Sequence, residues 1–69
     1  YFMRNNLKKQ RVIVGSLTQQ DLAERAGVTR QTIIAIEKGT FNPSVKLALK
    51  LARILNTTVE QLFILESQD

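Results

Sequence analysis

Residues 19–37 read QQDLAERAGVTRQTIIAIE, and no other stretch narrows so far what this chain can fold into. Two short segments with apolar residues at helical spacing flank Ala26-Gly27-Val28, and each is preceded by a threonine. Thr18 is placed to cap the first, and Asp21, three residues on, completes an acidic variant of the capping box. Leu17 before that cap and Leu22 at the fourth helical position form a hydrophobic staple across it. Gly27 supplies the left-handed backbone that ends a helix. Thr29 caps the second segment, with Val28 and Ile33 as a second staple. The pattern predicts two capped helices joined by a three-residue turn: a helix-turn-helix over residues 18–38.

Each constrained position has a physical reason. Small Ala23 lets the two helices cross closely, Gly27 makes the turn, and Ile33 and Ile36 fill the shared core. With both caps, these residues resemble the lambda-repressor/Cro-type helix-turn-helix family, also called the xenobiotic-response-element type. The resemblance runs on through KGTFNPSVKLALKLARILNTTVEQLF and so covers most of the chain. It implies an all-α, five-helix domain over residues 1–69, in some members with a short ribbon pairing the two chain ends. Here Phe2-Met3-Arg4 and Ile64-Leu65-Glu66 are the candidate strands.

Composition fits a nucleic-acid partner and removes most enzymes. The 69 residues contain no Cys and no His, so disulfides, the usual zinc sites and Ser-His or Cys-His catalysis are excluded. With no Gly-rich phosphate loop, we expect neither an enzyme nor a cofactor, and no small-molecule ligand is evident. The longest apolar runs, Leu62 to Leu65 among them, are far too short for a membrane span, so the expectation is a cytoplasmic protein with no membrane partner. Residues 1–39 carry seven Lys or Arg against three acids, whereas residues 40–69 carry three of each. All the net charge of +4 therefore lies in the half that holds the motif, as phosphate neutralisation requires.

Around the motif, Asn5 or Asn6 caps a first helix over 7–14, with Leu7, Arg11 and Val14 on one face. In the family a Leu often stands where Gln10 is, which implies a weaker anchor for this helix. The resemblance also implies that Arg11 pairs internally with Glu37, the alternative being a phosphate contact or a solvated charge. Beyond the motif, Gly39 ends the third helix and Pro43 forbids helix in the loop, where the family's Tyr is replaced by Phe41. Ser44 caps a fourth helix over about 45–55, apolar around most of its circumference, with Lys46, Lys50 and Arg53 as its solvent strip. Thr58 and Gln61 spell a capping box for a short fifth helix that holds Leu62 and Phe63.

The expected function is sequence-specific binding of double-stranded DNA by a transcriptional regulator, a repressor in the reading preferred here. The alternative is the same fold used as a protein-interaction adaptor or antitoxin-like partner. The resemblance places residues 30–38 in the major groove, the docking described for this family. Gln19 then hydrogen-bonds a phosphate at the start of its helix, and Thr29, the cap of the second helix, joins the DNA-binding set. Gln31 matches adenine, Arg30 suits guanine or a phosphate, and Thr32 suits either. Ile34 and Ala35 are apolar on an outward face, for thymine methyls or for another part of the chain. Lys38, Asn42 and the lysines of the first helix hold the backbone. One recognition helix reads few base pairs, so a homodimer on palindromic half-sites is expected, its interface drawn from Leu62, Phe63, Ile64 and Leu65.

Overall fold

The computed structural model describes residues 4–64. In chain order the elements are β1 (Arg4–Asn5), α1 (Leu7–Ile13), α2 (Gln19–Ala26), α3 (Arg30–Lys38), α4 (Val45–Ile54), α5 (Val59–Leu62) and β2 (Phe63–Ile64). The five helices surround one core, and the two strands pair antiparallel, with Arg4 opposite Ile64 and Asn5 opposite Phe63. The two ends of the described segment are thus joined by a short ribbon. Phe2, Met3, Leu65 and Glu66, also expected in it, lie outside the described residues.

The helix boundaries follow from local chemistry. Thr18 Oγ1 accepts from Asp21 N at 2.9 Å, and Asp21 Oδ2 accepts from Thr18 N at 3.1 Å, which closes the capping box. At the other end of α2, Gly27 has φ 75° and turns its N–H back onto the carbonyls of Ala23 and Glu24. Gly39, with φ 81°, ends α3 in the same way. A Cβ at either position would strain left-handed backbone. Ser44 caps α4 by accepting from Leu47 N at 3.1 Å.

The structure chooses Asn5 between the two expected caps of α1, and at α5 it departs from the expectation. Asn6 sits at the N-cap of α1 without a side-chain bond to the helix, and Asn5 Oδ1 accepts from Leu7 N instead. Asn6 turns away because its amide is used elsewhere, donating to the carbonyl of Gln61 at 3.0 Å. At α5 only half the capping box forms. Thr58 Oγ1 accepts from Gln61 N, but the Gln61 side chain takes the hydroxyl of Thr57 at 2.9 Å. Helix α5 also stops at Leu62, because Phe63 has already turned to extended backbone to join the ribbon.

Leu7, Leu22, Ile33, Ile36, Leu51, Leu55 and Leu62 are each fully buried and come from all five helices and the residue after α4. Burying one such side chain stabilises a fold by roughly 1.5–3 kcal/mol, and no disulfide supplements them here. The first helix has an anchor besides Leu7. Gln10 Nε2 donates to the carbonyl of Leu55, just past the end of α4, at 3.1 Å, so its polarity is used rather than tolerated.

The capping box makes α2 sensitive to acid. The backbone N–H of Thr18, and next its side chain, hold the fully exposed Asp21 carboxyl below its ordinary value. A carboxylate depressed in the folded state adds stability at pH above its unfolded value, and loses it as pH falls through the folded value. Thermal stability should therefore fall more steeply in the wild type than in Asp21→Ala as pH drops below about 4. Parallel curves for the two proteins would remove Asp21 from the account.

Candidate nucleic-acid interface

Helices α2 and α3 pack through Leu22, Ala23 and Ala26 on one and Ile33 and Ile36 on the other, all buried. Small Ala23 and Ala26 allow the close approach. With Ile33 and Ile36 fixed inward, the helical period turns Gln31, Ile34, Ala35 and Lys38 toward the opposite face. Arg30, Gln31 and Lys38 are exposed, and Thr32, Ile34 and Ala35 are half-buried along the same helix. The outer face of α3 therefore offers two cations, an amide and two apolar side chains, with no acid among them. That set matches base edges, thymine methyls and phosphates in a groove.

The two threonines at the start of α3 are tied to each other. Thr29 Oγ1 accepts from Thr32 N, and the two hydroxyls lie 3.0 Å apart. Thr29 is exposed and Thr32 half-buried, so the cap fixes the hydroxyls beside Arg30 and Gln31. Beyond α3, Thr40 ties its hydroxyl to the carbonyl of Ala35 at 3.2 Å, and Asn42 is exposed in the loop that follows. Phe41 is also exposed, so it does not pack in the core.

Arg11 and Glu37 meet in a bidentate pair. Arg11 Nε donates to Glu37 Oε2 at 2.7 Å and Nη2 to Oε1 at 3.2 Å, with both side chains about 10% exposed. Arg11 Nη1 donates to the carbonyl of Leu17 at 2.8 Å. Gln19, expected to face a phosphate, is half-buried and donates from Nε2 to Glu37 Oε1 at 3.1 Å. One network thus ties α1, the entry to α2 and the last turn of α3.

Residues that sequence reasoning missed also support this face. Asn5 donates from Nδ2 to the carbonyl of Ile36 at 2.8 Å while its Oδ1 caps α1. It therefore fixes the end of α3 from 31 positions away. Nothing local in the sequence signals such a contact. The Lys50 ammonium stands 3.7 Å from where a Cβ on Gly27 would lie, beside the C-terminus of α2, where a cation is favourable. Lys50 was expected only in a solvent strip.

The sequence matches the model of the helix-turn-helix family over residues 7–62, most of its length. The chain belongs to that family. Within it, an HTH-type transcriptional regulator of Methanocaldococcus jannaschii is 51% identical over 67 residues, covering 97% of this chain and all of the relative. The HTH-type transcriptional regulator YgzD of Bacillus subtilis is 43% identical with the same coverage of both chains. Among solved structures, the restriction-modification controller protein C.AhdI of Aeromonas hydrophila superposes with a TM-score of 0.73 at 35% identity. That match covers 83% of this chain and 81% of C.AhdI. Helix-turn-helix proteins of this lambda-repressor/Cro type are DNA-binding regulators of transcription. Among the described residues, no helix is long and apolar enough to cross a membrane.

Proposed function

We propose that this helix-turn-helix protein binds operator DNA sequence-specifically as a symmetric dimer, with α3 in the major groove, and represses transcription by occupying the site. The acid-free outer face of α3, beside buried Ile33 and Ile36, carries the reading. Gln31, exposed near the start of α3, is the base reader, and Arg30 beside it reads a guanine or holds a phosphate. Gln19, Lys38, Asn42 and the lysines of α1 position the backbone. Such a protein acts where the genome is, in the cytoplasm of a prokaryotic cell.

Selection of bound sites from random duplexes tests the assignment. Gln31→Ala should relax preference at one position per half-site, at about 1–3 kcal/mol on the best site. Gln19→Ala should weaken every duplex by a similar factor. Uniform loss from both variants would mean that Gln31 reads nothing.

The proposed dimer interface draws on α4 as well as on the end of the chain. Leu62 and Phe63 retain 1% and 9% of their exposure, because they close the protomer's own core, so neither has much area to share. Leu65 lies outside the described residues. Ile64 is 39% exposed, and Val45 and Leu49 on α4 are 77% and 57% exposed, together more than Val12 and Ile13 on α1 at 58% and 62%. Val45 and Leu49 line, with Ala48 and Ala52, a shallow apolar groove between α4 and α5 to which Lys46, Arg53 and Glu60 also contribute. On a two-fold axis Val45 and Leu49 of one copy enter the groove of the other, and Glu60 meets the partner's cations. Sedimentation at micromolar concentration should show a dimer for the wild type and a monomer for Val45→Asp/Leu49→Asp. A monomeric wild type that binds palindromic duplexes without cooperativity would refute this arrangement.

A further inference from the structure

Glu37 holds two positions that its ion pair with Arg11 does not by itself explain. It lies at the end of the recognition helix, and it accepts a hydrogen bond from Gln19 at the start of α2. We infer that Glu37 is a positioning residue for DNA binding: anchored by Arg11, it fixes the Gln19 carboxamide so that its remaining N–H points to a phosphate. This rests on the reading of Gln19 as a phosphate contact.

The chemistry fixes the orientation. An ionised carboxylate only accepts, so Gln19 must present its NH₂ group to Glu37. That group has two hydrogens, and only one is used at Oε1. Arg11 fills the other demands on the carboxylate, with Nε on Oε2 and Nη2 on Oε1. It also cancels a negative charge that would otherwise repel a phosphate bound beside Gln19. Arg11 Nη1 then holds the carbonyl of Leu17, next to the Thr18 cap, so the backbone entering α2 is located by the same guanidinium. A flexible amide would lose rotamer freedom each time it met a phosphate. Held in advance, it loses little.

The test separates positioning from mere stability. Replacing a buried ion pair by apolar side chains of similar volume is often neutral for folding. Arg11→Met/Glu37→Met should therefore keep a thermal midpoint close to that of the wild type, yet lose duplex affinity by about the factor seen for Gln19→Ala. Roughly tenfold to a hundredfold per contact is the expected scale for a hydrogen bond to a charged group. Adding Gln19→Ala to the apolar pair should cost nothing more. A folded apolar variant with full affinity, or losses that simply add, would overturn the inference. So would a rise in affinity, which would make Glu37 a latch that holds Gln19 away from DNA.

A wild-type measurement guards against a variant that does not fold. In the NMR spectrum of the duplex complex, one Gln19 side-chain amide proton should remain bonded to Glu37 while the other shifts on binding. Release of both from Glu37 would refute the assignment. Failure of the wild type to bind any duplex would instead overturn the DNA-binding reading on which the inference depends.

Discussion

Raising the salt concentration from 50 to 200 mM should weaken binding to a specific duplex by about 10⁴-fold, within the range expected for 6–10 phosphate contacts. The size follows from which cations are available. Arg11 is buried and bound to Glu37, so it releases no counterion. Arg30 and Lys38 on α3 and Lys8 and Lys9 on α1 are exposed. Four cations per protomer make eight in a dimer, and at about 0.9 per neutralised phosphate the log–log slope is near −7. A single protomer would give a slope near −3.6 and a loss of only about 150-fold over the same interval. Fluorescence anisotropy against labelled duplex at several salt concentrations therefore tests both the DNA reading and the number of copies bound. A flat response would favour the adaptor alternative. Exchanging Lys8 and Lys9 for Gln should reduce the dimer slope by close to four, whereas Arg11→Met/Glu37→Met should leave it nearly unchanged.

The motif was legible because its signals are local and agree with one another. Thr18 with Asp21, Gly27, Thr29 and Gly39 each fix a boundary through residues at most four positions away; α3 has the expected limits, and α2 runs one residue further, through Ala26. Inward-pointing Ile33 and Ile36 follow from helical period alone, given one core. What was not legible depends on which distant group arrives at a helix end. Asn6 reads as a cap as well as Asn5 does, until the carbonyl of Gln61 claims it. Gln10 reads as a weakness until the carbonyl of Leu55 stands opposite it. Leu62 and Phe63 read as spare apolar surface because a helix of four residues gives no period from which to tell inside from outside. Val45 and Leu49, conversely, sit on a helix so rich in apolar residues that the sequence does not show which of its faces lacks a neighbour.

Removing either partner of the Arg11–Glu37 pair alone should destabilise the fold by about 3–5 kcal/mol. The cost is not the loss of a favourable contact as such, since bringing two charges out of water offsets most of their attraction. It arises because the survivor remains charged and buried. In Glu37→Ala the guanidinium keeps only the carbonyl of Leu17, and two of its N–H groups lose their carboxylate partners. In Arg11→Ala the Glu37 carboxylate keeps only the Gln19 amide, while Leu17 loses the donor to its carbonyl. For a domain of this size, each kcal/mol lowers the midpoint by roughly 4–8 °C, so either variant should melt at least about 12 °C below the wild type. Native stabilities are themselves about 5–15 kcal/mol, so a small domain without disulfides could lose most of its margin. Paired with Arg11→Met/Glu37→Met, the single variants form a cycle read by calorimetry. Single losses of under about 1 kcal/mol would place the pair among solvent-screened surface bridges, despite its 2.7 Å contact and 10% exposure.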